Sequence, residues 1–411
     1  MRILWITNIP FPDICKIKGW SSPVIGGWMY SSAEILSNTS NVELAVATVY
    51  HGDKQEKYLI NGIAYYLLPL KGNMQKFHKS LEPHWLWVVS DFLPDITHLH
   101  GTELGHGLAY LKACPDQKTV VSIQGLVSVI DRYYLAGMSL WDVIRNSTIR
   151  TFFWKDNLWQ GKVNFTCRGK IEKEIIRLTK HVIGRTEWDK AHCFAINPNV
   201  TYHFCNETLR GEFYKHTWSY ENCEKYSIFL SQAGYPIKGL HQIIKALPIV
   251  LKRFPNVKVY VGGPNILNCI SFMDWIKFFG YGKYIKRLLK KYGLKDKIIF
   301  LGSLTEEEIC RHYLKANVFI CPSSIENSPN SLGEAQLLGV PCIASYVGGV
   351  PDMMRGLEKY MYRYEETEML AQIIINTFQD NNPTYDNTEA RKRHDPNTNI
   401  NQLINIYREI L

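Results

Sequence analysis

Short apolar runs, many of them β-branched, alternate along the chain with longer stretches whose apolar residues recur at helical spacing. In the first half, Ile3–Thr7, Val42–Val49, Ile63–Leu68, Ile96–Leu99, Thr119–Ile123 and His181–Ile183 predict strands. In the second half, Ser227–Ser231, Val257–Gly262, Lys297–Leu301, Val318–Cys321 and Pro341–Ser345 do the same. Nearly continuous apolar strands interleaved with helices point to parallel sheets covered on both faces. The alternation occurs twice, parted by a less regular stretch from Thr201 to Tyr226. The expected fold class is therefore α/β, with two Rossmann-like domains at residues 1–210 and 211–385. The default ligand site of such a pair is the cleft between their strand C-terminal edges. Residues 386–411 end in the spacing Leu403, Ile404, Ile406, Tyr407, Ile410, which predicts an amphipathic helix packing back toward the N-terminal domain.

Two regions break the alternation. One, from Ile130 to Lys180, sets Arg132, Tyr133, Tyr134, Trp141, Phe152, Phe153, Trp154 and Trp159 among basic residues. The other, from Ile266 to Lys297, places Phe272, Trp275, Phe278 and Phe279 ahead of Lys283, Lys286, Arg287, Lys290 and Lys291. Either alone reads as a packed helix with a solvated basic face. Together they suggest an interfacial surface for anionic lipid headgroups.

Composition narrows the class. With 411 residues, 46% hydrophobic and 21% charged, the chain is neither disordered nor a single small domain. Its net charge of +9 calls for an anionic partner, and no concentrated basic patch or recognition module points to nucleic acid. The N-terminus enters an apolar strand at once, without a signal-peptide pattern, and no run of about 18 apolar residues occurs. The ten cysteines lack C-x-x-C spacing and read as buried thiols of a reducing compartment. A cytoplasmic chain, peripheral on the inner face of a membrane, is the expected setting.

The chemistry concentrates in Cys321-Pro322-Ser323-Ser324-Ile325-Glu326-Asn327-Ser328-Pro329-Asn330-Ser331-Leu332-Gly333-Glu334-Ala335. A strand precedes it and a helix follows, stopped by Gly339 and Pro341. Two helix starts are open: Ser328 as N-cap with Pro329 at N1, or Ser331 as N-cap with Glu334 closing a capping box. In both, free amides from among Asn330, Ser331, Leu332 and Gly333 can bind phosphate. Carboxylates beside a phosphate site suit sugar hydroxyls instead, which makes Glu326 and Glu334 candidate sugar ligands.

Glu326-x7-Glu334, followed by Ala and Gly-x-Pro, resembles the signature of glycosyltransferase family 4, retaining enzymes of GT-B fold that use nucleotide sugars. Further matches follow in the family's order. They are Gly26-Gly27, Pro94-Asp95-Ile96-Thr97-His98-Leu99-His100-Gly101, Lys238-Gly239, Gly262-Gly263-Pro264, Leu301-Gly302-Ser303-Leu304 and Gly348-Gly349-Val350-Pro351-Asp352. The resemblance implies roles. Gly26 and Gly27 let backbone approach the diphosphate or sugar. Lys238, with the helix-start amides near Ser328, Asn330, Ser331 and Leu332, stabilises the departing diphosphate. Glu326 holds the donor sugar, Glu334 the ribose, and Gly302 lies beside the base. The donor is then a UDP- or GDP-sugar, no metal is required, and the acceptor is a saccharide or a lipid-linked saccharide of surface polysaccharide or glycolipid synthesis.

Two positions depart from the family. Ala233 stands where an arginine belongs, five residues ahead of Lys238, removing on the order of a few kcal/mol of charge-assisted bonding. Arg185 and Arg210 are candidate replacements. Gln124 replaces a histidine near the donor sugar; it can bond a hydroxyl but cannot take a proton. Attention shifts to His98 and His100, one expected to face the strand-edge cleft and the other the packing. Two other readings stay open: a GT-B chain that binds nucleotide or glycan without transfer, as a partner subunit, and a sugar-nucleotide epimerase.

Overall fold

The computed structural model describes residues 1–21, 26–146, 158–267, 280–380 and 386–411. The aromatic cluster expected from Phe152, Phe153, Trp154, Phe272, Trp275, Phe278 and Phe279 lies outside the described residues.

The chain forms two compact units. Unit 1 comprises Met1–Val129, Phe165–Arg210 and Lys392–Leu411, and unit 2 comprises Ile130–Asn164 and Gly211–Arg391. The segment Ile130–Asn164, expected within the first domain at residues 1–210, is therefore corrected to unit 2. Polar anchors hold it there. The Ala136 carbonyl accepts from the Tyr364 hydroxyl at 2.9 Å and lies 2.9 Å from His241 Nε2. Arg287 Nη2 meets Asp142 Oδ1 at 2.6 Å. Val143 and Leu158 add apolar area to the core of unit 2.

Among its described residues unit 1 carries eight strands: β1 (Arg2–Ile6), β2 (Glu43–Tyr50), β3 (Glu56–Ile60), β4 (Ile63–Pro69), β5 (Ile96–His100), β6 (Thr119–Ser122), β7 (His181–Gly184) and β8 (Thr201–Phe204). They form one sheet in the order β3-β4-β2-β1-β5-β6-β7-β8. All neighbours are parallel except β3 and β4, an antiparallel hairpin turned by Asn61 and Gly62 at φ 52° and 79°. The period of two divides β1 between the faces. Ile3 and Trp5 pack with Tyr407 of the terminal helix Pro396–Ile410, while Leu4 and Ile6 pack with Trp85 and Leu108.

Unit 2 carries β9 (Glu224–Leu230), β10 (Lys258–Gly262), β11 (Ile298–Gly302), β12 (Ala316–Cys321), β13 (Cys342–Ser345) and β14 (Met361–Tyr362). The order is β11-β10-β9-β12-β13-β14, parallel throughout. Each sheet reverses its direction of growth once, between β1 and β5 in unit 1 and between β9 and β12 in unit 2. Ligands of open α/β sheets bind outside the strand C-termini at such a reversal.

Of the nine described cysteines eight are buried, and Cys167 departs from expectation by being exposed. No helix among the described residues is long and apolar enough to cross a membrane.

Candidate functional site

At the reversal point of unit 2, the chain leaves β9 and forms a short turn, Pro236–Lys238, ending on Gly239 at φ 71°. A Cβ at Gly239 would lie 1.7 Å from the Pro322 carbonyl oxygen, so glycine is required where this turn meets the exit of β12. The Ser324 amide donates to the Ile237 carbonyl at 2.8 Å and fixes the two loops together.

That contact sets Lys238 opposite Glu326. Nζ lies 2.6 Å from Oε1, and the Ser323 hydroxyl donates to the same oxygen at 2.8 Å. The Gly349 amide donates to the Glu326 carbonyl at 3.1 Å, and a Cβ at Gly348 would come within 1.9 Å of that carbonyl. Glu326 is thus held by the exits of β9, β12 and β13. Burial alone would depress the Lys238 ammonium, but the Glu326 carboxylate outweighs it and the pKa is raised. The lysine stays charged. The Tyr235 ring lies 5.8 Å from the same ammonium. Burial pushes the neighbouring Cys321 thiol up to about 12, which removes it as a nucleophile.

The helix after Glu326 runs Asn330–Leu338, with Pro329 as N-cap and no side-chain cap bond. Neither expected start is the observed one. Pro329 precedes the helix instead of occupying N1, and Glu334 lies beyond the N3 position of a capping box. Leu332 and Gly333 donate their amides to the Pro329 carbonyl at 2.9 and 3.2 Å. Among the described residues the helix-start amides without a partner are therefore those of Asn330 and Ser331, and Leu332 is committed. Glu326, Ser328, Asn330 and Ser331 are half-buried, whereas Glu334 is only 4% exposed. Gly302 ends β11 at φ 81°, its carbonyl accepting from Gly263 at 2.9 Å, two strands away from β9.

The remaining expected residues lie in unit 1. His98 and His100 occupy alternate positions of β5, so both project to one side of the sheet, and their rings stack at 3.8 Å. The expectation that they face apart is thereby corrected. His98 bonds Tyr407 and Ser122; His100 has no hydrogen-bond partner on either nitrogen among the described residues, and burial lowers its pKa to about 3. Both line a cavity of about 40 Å³ with Trp5, Trp28, Arg185 and Glu207. This volume has room for one or two waters, whose bonds would satisfy His100.

Arg185 is buried. It pairs with Glu207 and donates Nη2 to the carbonyls of Ile123 and Gln124 at 3.1 Å each. Its charge is engaged in holding the exit of β6. Gln124 turns its Nε2 toward Met29 Sδ at 3.8 Å. Gly26 caps the Gly27–Ser37 helix at φ 81°, where a Cβ would meet Ile9 at 2.2 Å; a Cβ at Gly27 would only touch the Arg210 side chain at 3.4 Å. Ala233 is buried in the core of unit 2.

Ser323 and Tyr235 escaped the sequence reading. A serine three residues before a loop carboxylate is the available signal for the first; the second has none beyond its nearness to Lys238.

Residues 217–398 match the family model described as Glycosyl transferases group 1. The gpi3 subunit of phosphatidylinositol N-acetylglucosaminyltransferase from Schizosaccharomyces pombe is 21% identical over 83% of this chain and 66% of its own length. A human protein named as part of the same transferase is 19% identical over 83% of this chain and 63% of its own. An uncharacterized glycosyltransferase of Methanocaldococcus jannaschii, MJ1607, is 26% identical over 32% of this chain and 30% of its own. The chain thus spans less than two thirds of each of these relatives. Among solved structures, sucrose-phosphate synthase of Thermosynechococcus elongatus superposes with a TM-score of 0.68 at 14% identity, covering 100% of this chain and 99% of that one. Anabaena Alr3699/HepE in complex with UDP superposes at 0.61 and 15% identity, covering 100% of both. The fold is GT-B, and residues 217–398 resemble the glycosyl transferases of group 1.

Proposed function

We propose that this chain is a retaining glycosyltransferase of the family 4 type, moving a hexose from a nucleoside-diphosphate sugar to a saccharide or lipid-linked acceptor. The observation that carries the reading is the Lys238–Glu326 pair at the reversal point of a parallel sheet, beside two open helix-start amides. In this reading the anomeric carbon bonds to the acceptor oxygen as its bond to the diphosphate breaks. The acceptor proton passes to the leaving phosphate, so Gln124 is no obstacle. Lys238 and the amides of Asn330 and Ser331 meet the charge that develops on the diphosphate. Glu326 accepts from sugar hydroxyls, and no metal is assigned.

UDP is the first nucleotide to test, because UDP occupies the HepE structures of the same fold; GDP is the second. The lipid-linked acceptor draws support from the phosphatidylinositol in the names of two relatives. The experiment is calorimetry against UDP- and GDP-sugars, followed by turnover with and without acceptor, on the native chain, Lys238→Ala and Glu326→Ala. Turnover lost in both variants supports the reading, and turnover unaffected by both overturns it. Nucleotide binding without turnover across a broad panel would favour the non-transferring partner subunit, which the buried Ala233 recommends. Inversion at C2 without acceptor would favour the epimerase.

A further inference from the structure

We infer that the face of unit 2 formed by the Leu140–Asn146 helix, Trp159 and the Gly280–Tyr292 helix docks on an anionic lipid membrane. Single exposed apolar side chains are ordinary, but here they cluster. Leu140, Trp141 and Ile144 share one side of a short helix and are 63%, 79% and 63% exposed, while Val143 and Asn146 turn inward. Trp159, in the next described segment, is 51% exposed.

The second helix supplies the charge. Its inner side, Tyr281, Tyr284, Ile285, Leu288 and Leu289, joins the core of unit 2. The other positions hold Lys283, Lys286, Arg287, Lys290 and Lys291, and the helix contains no acidic residue. Lys283, Lys286, Arg287 and Lys290 follow the i, i+3, i+4, i+7 spacing of a single stripe. Arg287 ties this helix to the inward side of the short one, reaching Asp142 Oδ1 at 2.6 Å and Asn146 Oδ1 at 3.5 Å. Two helices far apart in sequence are thereby packed together, one exposing tryptophan and aliphatic side chains and the other a stripe of basic ones.

The chemistry selects the occupant. Protein interfaces are depleted of lysine, whereas a membrane interface takes tryptophan at the headgroup level and draws lysine and arginine to anionic lipid. The four lysines of the second helix carry part of the +9 that a diphosphate leaves unanswered.

The test is flotation of the full chain with vesicles of phosphatidylcholine alone or mixed with phosphatidylglycerol, alongside calorimetry of nucleotide binding. Expected is capture by the anionic vesicles only, reversed by salt. Trp141→Glu with Ile144→Glu, and separately Lys286→Glu with Lys290→Glu, should each reduce capture about tenfold or more. Neither pair should change nucleotide binding, which separates this inference from the transferase reading. Absence of capture, capture unchanged in both pairs, or concentration-dependent self-association abolished by Trp141→Glu would each overturn it.

Discussion

The Tyr407 hydroxyl lies 2.6 Å from His98 Nδ1, joining residues 309 positions apart inside unit 1. The Trp5 indole donates to the same hydroxyl oxygen at 3.0 Å. Because an indole N–H can only donate, the Tyr407 proton is free to go to Nδ1, and His98 then presents Nε2–H to Ser122 Oγ at 2.6 Å. Burial, then the neighbouring His100, hold the His98 pKa well below its ordinary value, so the ring keeps the neutral tautomer that this chain of bonds needs. Tyr407→Phe should leave Trp5 Nε1 and His98 Nδ1 without partners and lower stability by about 1–3 kcal/mol. Urea denaturation followed by tryptophan fluorescence measures it, and a change below about 0.5 kcal/mol would dismiss the network.

Acid should unfold the protein steeply. Burial lowers His100 to about 3 and His106, His241 and His394 to about 4, and His98 further below its ordinary value. Their folded-state values lie below the unfolded value of about 6.5, so the unfolded chain binds more protons as pH falls. The stability they contribute is fully present above about pH 6.5 and is lost toward pH 4, at about 1.4 kcal/mol per group per pH unit. Glu172 acts in the opposite sense. Burial raises its carboxyl to about 7 despite hydrogen bonds from Ser128, Thr102 and Val127, so it protonates first in the folded state and offsets one histidine. Urea midpoints from pH 7.5 downward should fall sharply below 6.5, and His106→Phe should flatten the slope by about one proton. A midpoint independent of pH down to 5 would contradict the assignment.

Glycine is required at the site wherever loops meet. Gly239→Ala, at φ 71° with a backbone oxygen 1.7 Å from the new Cβ, should cost more than about 2 kcal/mol and weaken nucleotide binding. Gly348→Ala, at φ 51° against the Glu326 carbonyl, should do the same. Gly234→Ala is the control, since nothing lies within 4 Å of its Cβ and its φ is not positive. Thermal shift with and without nucleotide compares the three. Equal melting temperatures would mean that the loops part easily and that the pairing of Lys238 with Glu326 is not held by backbone.

The eleven strands read from the sequence are present within a few residues, because most are buried parallel strands that show as apolar runs, and β11, half-buried at a sheet edge, keeps the run Ile298-Ile299-Phe300-Leu301. Three others, β3, β8 and β14, escaped for physical reasons. β3 and β8 are sheet edges, where alternation and polar residues replace the run, and β14 is two residues long. Asn61-Gly62 is the local signal for the β3–β4 hairpin. In the site, the strand-exit placement of Lys238 and Glu326 was legible from motif order. Their direct contact, the burial of Arg185 and the transfer of Ile130–Asn164 to unit 2 were not. Each depends on long-range packing, such as the bond from Ser324 to Tyr133 across 191 positions, that no local pattern encodes.

A double-mutant cycle separates what the Lys238–Glu326 pair does for stability from what it does for chemistry. Both side chains are largely removed from water, at 18% and 15% exposure. Lys238→Met leaves a carboxylate, and Glu326→Gln leaves an ammonium, without its ionic partner. Each single change should lower stability by about 1–3 kcal/mol, less than a fully buried pair would because some water remains. Lys238→Met with Glu326→Gln removes both charges and should recover at least about 1 kcal/mol relative to the sum. Turnover should behave otherwise. A cation that meets charge developing on the leaving diphosphate is worth about 10²–10³ in rate, and removing its partner cannot restore it. The double variant should therefore regain much of its stability and stay as inactive as Lys238→Met. If turnover returns together with stability, the pair is a structural clamp between the exits of β9 and β12, and the diphosphate is met by the Asn330 and Ser331 amides alone.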